Sequence, residues 1–259
     1  MKVTLINPEE SQKLHERWGQ FARVCYNSPE GREAFIGKGC HNTGHYSGSR
    51  TTYFIFHIEG VSRALTAQLN RHSIGVVINE QSMRYVNFAN AEVTMPPTIA
   101  NNPVAAEAFN IAVEQAKASY NNILDALAED GITGEMANQD ARYVCNIGIQ
   151  TEGMWAFTIE ALEHFMHKRL CDRAQWEIRD MANLMRKAVV EVVDSPLVHK
   201  ALVPHCMALG YCPENKMQCK KYKKFMPTKQ QFDKIQKLPE FKLLVAQIKE
   251  QEELAKKNK

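Results

Sequence analysis

The sequence predicts an α+β fold, a mixed sheet accompanied by long helices, and three segments carry that reading. Thr52-Tyr53-Phe54-Ile55-Phe56-His57-Ile58 is β-branched and aromatic almost throughout, the composition of a strand. Residues 103–129 are rich in Ala, Glu and Lys and close near Gly131, so they read as one long helix. Residues 173–193 set Trp176, Met181, Leu184, Met185, Ala188, Val189 and Val192 at helical spacing, a stripe that packs against a core.

The remaining elements follow in chain order. Residues 2–6 alternate as a short strand. Asn7-Pro8-Glu9-Glu10 then reads as a helix start, with Asn7 as N-cap, Pro8 in the first turn and Glu10 reaching back. That helix runs to about Tyr26. Residues 27–51 hold much of the Gly and Ser and read as loop, most flexible at Gly44–Ser49. A helix is expected over Val61–Asn70, a buried strand over Gly153–Thr158, and a helix from about Glu160. The helix at 173–193 takes Asp172 as N-cap with Gln175 three residues on, a variant capping box. From about residue 216 the composition shifts to Lys, Gln and Glu. The expected organisation is therefore a catalytic domain over 1–220 and a solvated helical tail over 221–259.

The 259 residues are 44% hydrophobic and 24% charged, with 13 Gly and 10 Pro, which excludes a fibrous or disordered chain. A net charge of +3 is too small to argue for nucleic-acid binding by itself. No apolar run reaches the roughly 18 residues a membrane span needs. Seven cysteines with no export signal ahead of them point to a reducing cytoplasm and mostly free thiols.

Two clusters carry chemistry. Gln68-Leu69-Asn70-Arg71-His72-Ser73 and Asn79-Glu80-Gln81-Ser82-Met83-Arg84-Tyr85 bring arginines, a histidine, serines and an acid close together in sequence. Guanidinium groups bind phosphate through paired, charge-assisted hydrogen bonds, and a serine hydroxyl can complete the shell. A salt-bridged helix end would use the same residue types. The second cluster is Arg169 through Ile178, where Asp172 and Arg173 have structural roles in capping and pairing. Arg169 has none, and it is expected just ahead of the long helix, whose N-terminus favours anions.

Gln68-Leu69-x-Arg71-His72, then Asn79-Glu80-Gln81-Ser82-x-Arg84-Tyr85, then Asp140-Ala141-Arg142-Tyr143, then Arg169 with Arg173-Ala174-Gln175-Trp176-Glu177-Ile178 form an ordered set. In that order they resemble the signature of the flavin-dependent thymidylate synthases. The closing Gly210-Tyr211-Cys212-Pro213-Glu214-Asn215-Lys216-Met217-x-Cys219 is similar to the C-terminus of many members from Gram-positive bacteria. The similarity runs from about residue 1 to 220.

The resemblance implies a homotetramer whose active sites are shared between subunits, with a pyrimidine nucleotide monophosphate stacked on FAD. It places nucleotide contacts at Gln68, Arg71, Glu80, Ser82, Met83 (through its backbone), Arg84, Arg142 and Arg169. Arg169 matches the arginine that stabilises negative charge on the pyrimidine ring, the one catalytic side chain expected, and a fixed cation beside the ring favours its anion. Ser82 is then a binding group and not a nucleophile. Flavin contacts are implied at His45, Ser47, Arg71, His72, Ser73, Glu80, Thr158, Glu160 and His164.

The chain departs from the family mainly on this flavin side. The family's Arg-His-Arg is Arg71-His72-Ser73, its Asn-Ala-Arg aligns with Thr158-Ile159-Glu160, and its Gly-His-Glu-(Ser/Thr)-Pro has become Gly44-His45-Tyr46-Ser47-Gly48. Eight residues, 74–81, separate Ser73 from Ser82 where the family has seven, so a loop or bulge must absorb one. An anion in place of a cation beside a pyrophosphate costs a few kcal/mol, about two decades of affinity.

The implied function is reductive C5-methylation of dUMP to dTMP, with methylenetetrahydrofolate as carbon donor, NADPH as reductant and FAD as hydride carrier. The altered flavin contacts keep two alternatives open: C5-methylation or hydroxymethylation of another pyrimidine nucleotide such as UMP or dCMP, or a non-catalytic nucleotide-binding paralogue. Cys206, Cys212 and Cys219, with His205 nearby, are spaced too loosely for a zinc knuckle, so free thiols and no metal are expected. The lysines at 216, 220, 221, 223 and 224 read as solvated tail and not as a nucleic-acid contact.

Overall fold

Side chains alternate along a strand, and here that puts Phe54, Phe56 and Ile58 on one face, all fully buried. The computed structural model describes residues 1–214, 217–219 and 227–257, with side chains as far as Gln251. The lysine cluster at 216–224 lies outside the described residues.

In chain order the first elements are β1 (Lys2–Leu5), α1 (Pro8–Gln12), α2 (Leu14–Cys25), α3 (Glu33–Thr43), a 3-10 turn (Tyr46–Thr51), β2 (Tyr53–Ser62), α4 (Arg63–Leu69) and β3 (Val76–Glu80). They are followed by α5 (Pro97–Ala100), α6 (Pro103–Glu129), α7 (Gly134–Ala141), β4 (Gln150–Thr158), α8 (Ile159–Arg169) and α9 (Trp176–Val192). Four short or terminal helices close the chain: α10 (Pro196–Ala201), α11 (His205–Leu209), α12 (Lys229–Ile235) and α13 (Pro239–Lys257).

The sheet has the order β1-β2-β4-β3 and every pairing is antiparallel, so the α+β class holds but the sheet is not mixed. β2 and β3 both run against their shared neighbour β4, which leaves no parallel pair. The buried face pairs Phe54 with Phe157, Phe56 with Trp155 and Ile58 with Gly153. Against it pack α4, α8 and α9, which supply Leu65, Leu69, Leu162, Phe165, Met166, Ile178, Met181, Met185 and Val189 to one core. Leu184, expected on the α9 stripe, is instead exposed, because the buried phase runs through 178, 181, 182, 185 and 189. A smaller core of Phe88, Tyr120, Ala141 and Ile149 joins α6 and α7 to the segment after β3.

Several local expectations give way to tertiary contacts. Asn7 makes no side-chain cap; its amide donates to the Tyr53 carbonyl at 2.7 Å and its oxygen accepts from Ile55 N at 2.9 Å. Helix to Tyr26 is really two helices, broken at Lys13. Residues 27–51 are not loop but contain α3. Its Gly37 and the facing Gly19 let two helix backbones touch: an added Cβ would lie 1.9 Å from the His15 carbonyl oxygen and 1.7 Å from that of Glu33. The N-cap of α9 is Gln175, whose side chain accepts from Ile178 N at 3.1 Å, and not Asp172. The tail does fold back: Tyr211 and Phe232 rings lie 5.3 Å apart, and Cys212 bridges Thr228. Among the described residues, no helix is long and apolar enough to cross a membrane.

Candidate functional site

Arg169 is the last residue of α8, so it lies at a helix C-terminus and not ahead of a helix N-terminus as its sequence position suggested. A cation is favoured there by the helix dipole. Its Nε donates to His72 Nε2 at 3.0 Å and its Nη2 to the Gln68 carbonyl at 3.4 Å. A guanidinium can only donate, so His72 Nε2 is the acceptor and the imidazole proton sits on Nδ1. Burial, then the charge of Arg169, pushes the His72 pKa down to about 4. Burial likewise lowers Arg169, and Arg71 beside it adds to the effect. Arg71 is exposed and has no carboxylate partner among the described residues. Gln68, Arg71, His72 and Arg169 are thus brought together at the junction of α4 and α8.

A cleft of about 480 Å³ opens on the other side of His72. Arg71, His72, Ser73, Thr158, Glu160 and His164 all line it, six of the nine positions the resemblance gave to the flavin. Thr158 caps α8 by accepting from Ala161 N at 3.2 Å, which fixes Glu160 and His164 one turn apart on the cleft side. Gly75 closes the floor with φ of +72°, and an added Cβ would lie 2.7 Å from Thr158 Oγ1. β3 pairs with β4 from Val76 to Glu80 without a register shift, so the extra residue is absorbed outside that ladder.

Sequence reasoning missed Arg50, which also lines this cleft and pairs with Glu160 at 3.3 Å. The two are 110 residues apart and no local motif marks Arg50. The pair sets a guanidinium beside the Glu160 carboxylate on the wall of this cleft. Ser47 sits exposed on the same 3-10 turn and His45 exposed just ahead of it, and neither lines the cleft. That turn is fixed by packing: Trp18 Nε1 donates to the His45 carbonyl at 3.1 Å, and a Cβ on Gly48 would lie 2.6 Å from the Trp18 ring.

The remaining predicted residues form a second group. Glu80 pairs with Arg63 at 2.8 Å and accepts from Asn70 Nδ2 at 3.0 Å, while Asn70 in turn accepts from Trp155 Nε1. Burial lowers the Arg63 pKa, Glu80 opposes the shift, and Arg142 reinforces it, which places Arg142 within electrostatic reach. Ser82 Oγ accepts from Arg84 N at 3.2 Å in a tight turn that carries Met83. The turn is held from α7, where Glu135 pairs with the Arg84 guanidinium and Asn138 Nδ2 donates to its carbonyl at 3.2 Å. Arg142, at the end of α7, donates from Nε to the Gln139 carbonyl and has no carboxylate partner among the described residues. No hydrogen bond or ion pair among the described residues joins this group to the Arg169 group.

Comparison with known proteins shows the family. A family model described as thymidylate synthase complementing protein matches residues 8–194. The flavin-dependent thymidylate synthase of Nitratidesulfovibrio vulgaris is 40% identical over 181 residues, covering 70% of this chain and 73% of that one. The enzyme of the same name from Clostridium tetani is 36% identical over 186 residues, with 69% and 73% covered. That of Geobacter sulfurreducens is 35% identical over 236 residues, 85% of this chain and 94% of its own. Strands β2 to β4, helices α1 to α9 and the clustered guanidiniums fall within the matched span, and the chain belongs to the thymidylate synthase complementing protein family, together with these flavin-dependent thymidylate synthases.

Proposed function

We propose that the chain is a cytoplasmic flavin-dependent thymidylate synthase, which methylates dUMP at C5 with methylenetetrahydrofolate as carbon donor and NADPH as reductant. The observation that carries the reading is the set of guanidiniums at Arg71, Arg142 and Arg169, which have no carboxylate partner among the described residues. Unpaired cations held in place are what a nucleotide monophosphate requires, because their charge is not already spent on the protein. Arg169 is fixed by His72 and the Gln68 carbonyl, so it meets the pyrimidine ring with little reorganisation. A fixed cation at the ring oxygens stabilises the ring anion and makes C5 nucleophilic. Neutral His72 leaves the charge of Arg169 uncancelled.

In this reading the cleft of about 480 Å³ takes the flavin. Arg50 and Arg71 offer charge to its phosphates, Ser73 and Thr158 offer hydroxyls, and His72 and His164 offer ring edges. The bound flavin would supply hydride transfer between NADPH and the carbon carried by folate. The chain's own residues bind, orient and polarise.

The two separated groups are best accommodated in a homotetramer in which Ser82, Met83, Arg84 and Arg142 of one subunit complete the Arg71–Arg169 group of another. Supporting this, α6 buries only Val113 and Tyr120 along 27 residues, leaving Val104 and Ile111 exposed. Tyr85 and Tyr143 are also exposed beside the second group. In this reading residues 1–220 form the catalytic domain and 221–259 an appended helical tail. The test is spectroscopic: purified protein given FAD should show the visible absorption of bound oxidised flavin, perturbed on adding dUMP. Tight dUMP binding with no flavin uptake would contradict the assignment.

A further inference from the structure

A second cleft, of about 360 Å³, shares His72 and Arg169 with the site described above, but its cysteines have no role assigned there. Four of the seven cysteines line it: Cys171, Cys206, Cys212 and Cys219. They come from three segments. Cys171 lies in the turn after α8, Cys206 on α11, and Cys212 and Cys219 on the stretch that follows. Sequence spacing placed the last three near one another, whereas Cys171 joins them only through the fold.

The thiols stand close enough to feel one another. Burial raises the Cys171 pKa, and Cys219 and Cys212 push the same way. Burial also raises Cys206, with Cys212 and Cys171 as further causes. The segment that carries three of them has almost no apolar core of its own. Among the described residues of 203–219, Cys212 alone is buried, and the only helix is the five-residue α11. Arg173 ties the segment back by donating to the Met217 carbonyl at 2.7 Å. Short loop-rich segments of this kind are commonly stapled by disulfides or metal, and all seven cysteines here are free.

We propose that Cys171, Cys206, Cys212 and Cys219 hold an iron–sulfur cluster. A single zinc with bonds of about 2.3 Å draws its four sulfurs to within roughly 4 Å of one another. Among the described residues no three cysteine or histidine ligand atoms of this cleft lie within 4.8 Å of one another. A cluster of several irons takes its four thiolates farther apart than a single ion does, and the cleft these cysteines line, of about 360 Å³, leaves room for one. Ligation would deprotonate the thiols and release their protons to solvent. His167 and His205, stacked with ring centroids 5.2 Å apart, wall the same cleft. The centre would stand next to Arg169, but its four ligands are none of the residues assigned to nucleotide or flavin, so the proposal does not depend on the reaction assigned above.

The full chain, purified without oxygen and stripped of flavin, should be assayed for iron, acid-labile sulfide and zinc. Iron and sulfide in matched amounts, with visible absorption remaining after flavin removal, are expected. Stoichiometric zinc without iron would overturn the cluster. Cys212→Ser and Cys219→Ser should lose the metal, whereas Cys25→Ser, on the exposed end of α2, should keep it. Because the first two variants could misfold, thiol labelling of the native wild type provides a second reading. Cys171, Cys206, Cys212 and Cys219 should resist labelling until a chelator is added. Absence of both metals, with these four thiols labelling at the same rate before and after chelator, overturns the proposal.

Discussion

Arg169 donates from Nε to His72 Nε2 at 3.0 Å, so a permanent cation is oriented by a histidine that stays neutral. A protonated His72 could not accept that bond and would repel the guanidinium. The low His72 pKa, about 4, is therefore part of how Arg169 is held. Arg169→Ala should abolish turnover and weaken nucleotide binding by roughly 2–3 kcal/mol, the cost of a lost charged hydrogen bond. Isothermal titration with dUMP measures the second effect, and near-normal affinity with normal turnover would misplace this residue.

Arg50 and Glu160 pair at 3.3 Å on the wall of the cleft proposed for the flavin. Arg50→Ala should weaken FAD by about tenfold or more, because it removes the cation and leaves Glu160 facing the phosphates. Glu160→Gln should tighten FAD, since Arg50 is then unneutralised. Fluorescence titration of apo-protein with FAD reads both, and the double variant tests whether the effects are coupled.

Gly75 has φ of +72° and no space for a methyl group beside Thr158. Gly75→Ala should destabilise the fold by about 1–3 kcal/mol and impair flavin binding more than nucleotide binding. Thermal melting with and without each ligand separates the two losses.

A buried chain of hydrogen bonds runs from His15 Nε2 to His41 Nδ1 at 2.9 Å, then from His41 to Glu163 at 2.9 Å, with Tyr46 donating to the second Glu163 oxygen at 2.7 Å. Burial first, then His41 and Lys38, lowers the His15 pKa from 6.5 to about 4. Between those values the unfolded chain binds the proton and the folded chain does not, so stability rises with pH. The contribution is fully present above about pH 6.5 and is lost as pH falls toward 4. His72 acts in the same direction. Denaturant titrations should show falling stability from pH 7 to 5, and His15→Gln should flatten part of that slope.

What could be read from the sequence follows the physics of each element. β2, α6, α8 and α9 were legible because burial or length stamps a strong period on them. α3 was not, since its glycines serve a close helix contact and resemble loop composition. Asn7 stands at the N-cap position of α1 as the sequence predicts, but its side chain bonds β2 instead of the helix, and those partners lie more than 40 residues away. The same non-locality hid Arg50 from Glu160 and Cys171 from the other three thiols. The motif residues around Arg71, Ser82, Arg142 and Arg169 were visible in order, but their division into two groups is a property of the fold.

Tritium release from C5-labelled dUMP tests the central claim most directly. With FAD, NADPH and methylenetetrahydrofolate supplied, the wild-type protein should release tritium to water, and Arg169→Ala should release none above background. A wild type that binds dUMP and FAD yet releases no tritium would contradict the account, as would an Arg169→Ala variant that releases it at the wild-type rate.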